Sequence, residues 1–189
     1  GVRRAGKTVL CRSLPNTVYF DCEIPRVRAR MEDPEAFLDS HRGRRLILDE
    51  AHRLSNPSEI LKIAADHFPG TRIVATGSSV LQASAKFRDT LVGRKRVVWL
   101  TPMNSDDLLA FGGNMRRRLR RGGLPRFFMT SDNPSVEFQD WMDGYWAKDV
   151  QELFRVERRA SFQKFAELVF AQSGGIFEAT RFARPAEIS

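Results

Sequence analysis

Four short apolar runs, each flanked by polar or turn residues, divide the first hundred positions: TVYFDC at 17–22, RLILDE at 45–50, RIVATG at 72–77 and RVVWLT at 96–101. Runs of this length are too short for buried helices and suit buried strands. The stretches between them carry helical spacing, with helices expected over 6–14, 34–40, 57–68, 79–90 and 105–111. Strands alternating with helices give a parallel sheet covered by helices, so the fold class is α/β.

Composition sets the outer limits. The chain has 189 residues, 42% hydrophobic and 29% charged, which is ordinary for a globular protein and excludes a disordered one. A chain of this size removes roughly 70% of its unfolded surface from water on folding. No apolar run approaches the ~18 residues of a membrane span and no signal-peptide pattern is present, so no membrane partner is expected. Cys11 and Cys22 sit in apolar surroundings without zinc-ligand spacing and read as buried reduced thiols, which makes a cytoplasmic location the expectation.

The sequence opens with GVRRAGKTVL, where Gly1, Gly6, Lys7 and Thr8 fit G-x-x-x-x-G-K-[ST]. A random chain of this length shows the pattern roughly once in a hundred. A triphosphate is gripped mainly by inward-pointing backbone N–H groups, so glycines are needed where a side chain would block the approach. The apolar residues Val9, Leu10 and Leu14 are expected on one face of a helix that starts near Gly6 and points its positive end at the phosphates. Gly1, Arg4, Ala5, Gly6, Lys7, Thr8 and Val9 are therefore the expected nucleotide-binding residues, with Lys7 reaching the β and γ phosphates and the Thr8 hydroxyl on magnesium. The plainer alternative is an amphipathic helix with a flexible leader.

LILDEAH supplies a second half. Leu46, Ile47 and Leu48 read as a buried strand that delivers Asp49 to its carboxyl end, where open α/β sheets place their ligands, with Glu50 following. Asp49 is the expected metal ligand and Glu50 the catalytic acid that orients or deprotonates the attacking water. An acidic pair at a strand end is otherwise a surface or capping feature. In TGSS, Thr76, Ser78 or Ser79 offers a hydroxyl near a γ-phosphate, and Ser78 is taken as the candidate; Ser79 equally suits a helix N-cap. Arg94, after Gly93, is a candidate to reach the γ-phosphate of a neighbouring subunit.

The charge is +8, from 31 lysines and arginines against 23 acids, and it favours anionic partners. Basic clusters occur at Arg42, Arg44 and Arg45, at Arg94, Lys95 and Arg96, and in MRRRLRR at 115–121. In the last, Met115 and Leu119 stand four apart, so a short helix with its arginines on the wet face is expected. After GGLPRFF (122–128) the chain turns helical, with one apolar stripe at Phe138, Trp141, Met142, Tyr145 and Trp146 and another at Phe162, Phe165, Ala166, Val169 and Phe170.

GVRRAGKTVL, YFDCEIP, RRLILDEAH, ATGSSVL, LVGRKRVVWLTPM, GGLPRFF and YWAKDVQELF occur in the order found in the AAA-type ATPases of bacteria and archaea that bear a C-terminal domain of unknown function, relatives of the archaeal STAND-like ATPases. The chain resembles that family over nearly its whole length. The resemblance implies a P-loop NTPase core at 1–112, a helical lid or linker at 113–160 and the start of a winged-helix unit at 161–189. It further implies ATP and Mg2+ as cofactors, Lys7 and Thr8 in the Walker A role, Asp49 and Glu50 in the Walker B role, Ser78 near the sensor position and Arg94 in the glycine-arginine motif. A homo-oligomer with Arg94 acting in trans, and a DNA or protein partner through the C-terminal region, are expected on the same ground. The family's opening strand and downstream domain are not in the sequence, so a fragment is expected.

DEAH also invites a helicase reading, but 42 positions separate Lys7 from Asp49 and no room is left for a second motor domain. The competing reading is a regulatory module in which ATP holds a conformation without being hydrolysed. A DNA-binding regulator with a vestigial loop is the third.

Overall fold

The computed structural model describes residues 4–77, 91–130, 135–150 and 159–186. Two compact units, Gly1–Gln139 and Asp140–Ser189, share the chain.

In the first unit the order is α1 (Lys7–Ser13), β1 (Thr17–Asp21), α2 (Pro25–Ala29), α3 (Pro34–Asp39), β2 (Arg45–Asp49), a 3-10 turn (Ala51–Arg53), α4 (Pro57–His67) and β3 (Arg72–Ala75). The three strands form one parallel sheet in the order β1-β2-β3, with Val18 opposite Leu46 and Leu46 opposite Ile73. β2 is central and reads as an unbroken apolar run because both its faces are covered: Leu46, Ile47 and Leu48 are fully buried. Each contributes about 1.5–3 kcal/mol by leaving water. Leu46 and Leu48 join Phe20, Phe37, Leu38, Ile60 and Ala64 in the main core. By the period of two, Ile47 and Asp49 point to the opposite face, and α1 packs against β2 there.

Three short helices follow: α5 (Ser105–Ala110), α6 (Met115–Arg121) and α7 (Pro125–Met129). Their starts are chemically marked. Asn104 and Asp107 form a reciprocal capping box on α5, and the Asn114 side chain accepts from Arg117 N at 2.9 Å on α6. Phe128 is fully buried with Met103 and Leu108, and Gly113 passes against its ring so closely that a Cβ would overlap it. Gly113→Ala is therefore expected to destabilise by about 1–3 kcal/mol through overpacking. Gly144→Ala, where a Cβ meets nothing within 4 Å, should be neutral or slightly stabilising in its helix. Thermal melts of the two variants check this contrast.

The second unit takes up α8 (Ser135–Tyr145) at its C-terminal end, a π-helical turn (Trp146–Val150), α9 (Arg159–Ala171) and α10 (Ala179–Ala183). Trp146, Val150, Phe182 and Ala186 are buried, with Trp146 against Phe162 at 4.8 Å and Phe177 stacked on Phe182 at 5.1 Å between ring centroids. Of the stripe residues, Phe170 is exposed, and Phe138, in the first unit, is partly exposed and meets Phe127 edge-on at 5.8 Å between ring centroids.

Three expectations need correction. Residues 96–101 form no strand: no described strand pairs with them, and Val97, Val98 and Trp99 remain exposed, because an apolar run is a strand only when a neighbour supplies its ladder. The helix after the glycine loop forms, but Val9 and Leu10 are 73% and 50% exposed and Cys11 is its buried residue. On α6 the faces are inverted. Met115 and Leu119 are exposed, while Arg117 Nε donates to Phe128 O at 2.9 Å and Arg118 Nε to Met103 O at 3.2 Å. Long arginine stems cover apolar surface while the guanidinium heads satisfy chain carbonyls, which two isolated apolar side chains cannot do. The helix expected at 79–90 lies outside the described residues.

Candidate functional site

Asp49 leaves β2 on the face turned to α1 and is 3% exposed. A carboxylate so buried needs partners, and three hydroxyls supply them. Thr8 Oγ1 donates to Asp49 Oδ2 at 2.7 Å, Tyr19 OH to the same oxygen at 2.6 Å, and Thr76 Oγ1 to Oδ1. Thr8 stands in the first turn of α1, Tyr19 mid-strand in β1 and Thr76 just past β3, so four elements converge on one carboxyl group. Burial alone would raise the Asp49 pKa, but the bonds from Thr76, Tyr19, Thr8 and the Glu50 backbone outweigh it and hold the group below the usual carboxylate range.

Tyr19 feels the reverse effect. Burial first, then its bond to Asp49, push its phenol up to about 12, with Arg12, whose guanidinium lies 4.7 Å above the ring centroid, opposing the rise. Because the folded pKa of Asp49 is depressed, its contribution to stability is present above the unfolded value near 4 and is lost as pH falls through the lowered value. Tyr19→Phe removes one of the donors that lower it. The variant should lose about 1.5–3 kcal/mol at pH 7, the range for a bond to a charged group, and the gap to wild type should close in acid. Urea unfolding at pH 7 and below pH 4 measures both; coincident midpoints at pH 7 would contradict the bond.

Glu50 sits at φ 54, ψ 44, the left-handed region that a non-glycine residue occupies at a cost of about 1–3 kcal/mol. Thr76 holds it there. Glu50 N donates to Thr76 Oγ1 at 3.1 Å and Ala51 N to Thr76 O at 2.8 Å, so the same threonine grips both acidic residues. The side chain of Glu50 is 29% exposed, and His52 Nδ1 lies 3.1 Å from Oε2, within ion-pair distance but off the line of a good hydrogen bond. Contact with His52 holds the Glu50 carboxyl below its ordinary range; burial and the Asp49 charge oppose this and the charge of Lys7 adds to it.

In the glycine loop Ala5 is buried, Arg4 has φ 62 and Gly6 has φ 96. A Cβ on Gly6 would touch nothing within 4 Å, so the demand for glycine there is conformational. Leu10 N bonds to Gly6 O at 2.9 Å and closes the first turn of α1. Thr8 and Asp49 meet as expected from sequence. Gly1 and Ser78 lie outside the described residues. Val9 is exposed on α1. Arg94 is tied within its own chain, Nε donating to Asp66 Oδ1 of α4 at 2.6 Å, an exposed pair that lowers the Asp66 pKa and raises that of Arg94.

Among the described residues no cluster of three or more His, Cys, Asp or Glu side chains could hold a metal. The donor set present is one hydroxyl and one carboxylate, both hard oxygen ligands, which fits magnesium, an ion that keeps several waters and substrate oxygens around a few protein ligands. One contributor is ranked too low by the sequence expectation and one escapes it. Thr76 appears there as one of three hydroxyls behind Ser78, and Tyr19 does not appear at all. Its signal is the register: Tyr19 pairs with Ile47, two residues before Asp49 on the same face.

Comparison with known proteins places the chain in a family. The AAA domain matches residues 1–109 and a domain of unknown function matches residues 113–189. No curated protein and no solved structure matches the chain. No described helix is long and apolar enough to cross a membrane. The three-stranded parallel sheet, its flanking helices and the glycine loop leading into α1 fit a P-loop-like α/β fold, and the matched domain covers more than half of the sequence. The chain thus belongs to the AAA domain family of nucleotide-binding, ATPase-type proteins.

Proposed function

We propose that the chain binds ATP with magnesium at the carboxyl end of β2 and hydrolyses it, as a relative of the bacterial and archaeal STAND-like ATPases. The observation that carries this reading is the 2.7 Å bond between Thr8 and Asp49, which joins the glycine loop to the strand-end acid across 41 positions of sequence. Both oxygens would hold the magnesium ion, which when bound neutralises charge on the β and γ phosphates. Lys7 adds positive charge beside them as the γ-phosphoryl group leaves.

Glu50 orients the attacking water. Its lowered pKa keeps it ionised at neutral pH and makes it a weak proton acceptor, which favours positioning over deprotonation. Thr76, locking the backbone of Glu50 and the carboxyl of Asp49 together, sets their relative placement, and Ser78 remains the sensor candidate from the sequence. Arg94 from a neighbouring subunit would complete the charge stabilisation once its pair with Asp66 opens. The segment 161–189 would begin a winged-helix unit, with α9 and α10 as its first helices and a DNA or protein partner beyond.

Steady-state phosphate release tests this. Hydrolysis should require magnesium, stop in EDTA and rise more than linearly with protein concentration if Arg94 acts between subunits. Strictly linear scaling to nanomolar protein contradicts the shared site, and no phosphate release in saturating Mg-ATP contradicts hydrolysis itself.

A further inference from the structure

Three side-chain hydroxyls converge on the Asp49 carboxylate, and they do not do the same work. A carboxylate offers about four acceptor positions and turns readily about its last torsion, so a donor on one oxygen alone leaves its plane free to swing. Here both oxygens are taken: Oδ1 by Thr76 Oγ1, and Oδ2 by Thr8 Oγ1 at 2.7 Å and Tyr19 OH at 2.6 Å. Together they fix the plane of the carboxyl group.

Two of the donors have a second task. Thr8, in the first turn of α1, is itself the hydroxyl of the metal pair. Thr76 also accepts from Glu50 N at 3.1 Å, and its carbonyl accepts from Ala51 N at 2.8 Å. Tyr19 reaches in from β1, where it pairs with Ile47, so its phenol spans a diagonal to the next residue of β2 on that face. A serine or threonine would be too short for this. The phenol is steadied in turn. Arg12 follows Thr8 by one turn of α1, and its guanidinium carbon lies 4.7 Å from the centroid of the Tyr19 ring. Residues four apart share a helix face, so α1 reaches Asp49 twice: directly by Thr8, and through Tyr19 by Arg12.

We propose that Tyr19 is a positioning residue for magnesium: resting on the reading of Thr8 and Asp49 as the ion's protein ligands, its phenol holds Oδ2 in the orientation that ligation requires and so raises the affinity of the nucleotide site for the ion. Hydrogen-bond partners of a ligating carboxylate are typically worth about 10–100-fold in metal affinity. A purely structural role differs in kind, since it would weaken folding and leave the metal preference of the folded protein unchanged. The hydroxyl and not the ring carries the effect. Tyr19→Phe isolates it, because phenylalanine keeps a ring beneath Arg12.

The readout is the ratio of the full chain's affinities for a fluorescent, non-hydrolysable ATP analogue in magnesium and in EDTA. Tyr19→Phe should lower this ratio about tenfold, or to unity where the wild-type ratio is smaller, while affinity in EDTA stays within about threefold and so reports a folded site. Gly113→Ala, destabilised by its clash with Phe128, should keep the wild-type ratio, which separates positioning from lost stability. A second readout needs no change at position 19. The chain has two tyrosines, Tyr19 and Tyr145, so labelling with 3-fluorotyrosine gives two fluorine signals that Tyr145→Phe assigns. Magnesium added to the complex with the analogue should shift the Tyr19 signal. A wild-type ratio in Tyr19→Phe, an equal drop in Gly113→Ala, or a Tyr19 signal indifferent to magnesium would each overturn the role of Tyr19 and leave the metal pair standing. A ratio of one in wild type would remove the metal pair itself, and the role of Tyr19 with it.

Discussion

Glu50→Gln is expected to lower ATP turnover by about 10²–10⁴-fold while leaving ATP binding within a few-fold of wild type. The magnitude is that of losing a positioned acid–base group from a transition state. Binding survives because the backbone bond from Glu50 N to Thr76 Oγ1, which holds the turn, does not depend on the charge of the side chain; only the contact with His52 weakens. Glutamine is close to isosteric and keeps an acceptor oxygen, so the left-handed turn at position 50 is preserved. The pH profile follows from the same geometry. A carboxyl held below its ordinary range by His52 stays ionised through neutral pH, so the acid limb of the wild-type profile should fall below pH 4.5 rather than near neutrality. Single-turnover rates and equilibrium affinity, measured on the same preparation, separate the outcomes. Loss of binding together with turnover would make Glu50 a ligand, unchanged turnover would remove Glu50 from the catalytic role, and tight binding with little turnover in wild type would favour an ATP-dependent switch over an enzyme.

Lys7→Ala should remove ATP binding almost entirely. Deleting one member of a partly desolvated charge pair costs about 2–5 kcal/mol, or roughly 30- to several-thousand-fold in affinity. The substitution falls in the first turn of α1 beside Thr8, and alanine is a better helix former than lysine, so the helix itself should not suffer. A fluorescent ATP analogue titrated into both proteins reads the difference. Because the Lys7 charge also stabilises the Glu50 anion, the variant should raise the Glu50 pKa, visible as a change in acid stability without nucleotide. Affinity within threefold of wild type would remove Lys7 from the phosphate site.

Much of this site was legible because local sequence determines much of it. LILD was read from the local pattern: three apolar residues closing on an acid suit a buried strand that delivers a carboxylate to its end, and Arg45–Asp49 is that strand. The glycine at position 6, with its φ of 96, and the threonine that meets Asp49 were equally local. Cys11 and Cys22 were read as buried thiols and are 4% and 0% exposed.

What failed depended on partners that a single stretch of chain does not name. Tyr19 matters because β1 lies beside β2 in a register that sets it near Asp49, a fact of pairing rather than pattern. The run at 96–101 has strand composition but no described neighbour to pair with. On α6 the apolar pair Met115 and Leu119 pointed outward because the carbonyls of Met103, Phe128 and Thr130 lay where arginine heads could reach them. Val9 and Leu10 followed the same logic on α1, where the buried position went to the smaller Cys11.

The most direct test of the account is isothermal titration of ATP into the wild-type chain, once with magnesium and once with EDTA. The account expects saturable one-to-one binding that is clearly tighter with magnesium, since Thr8 and Asp49 already face each other across 2.7 Å as a hard-oxygen pair. Absence of binding in both buffers, or binding of equal strength in both, would contradict it.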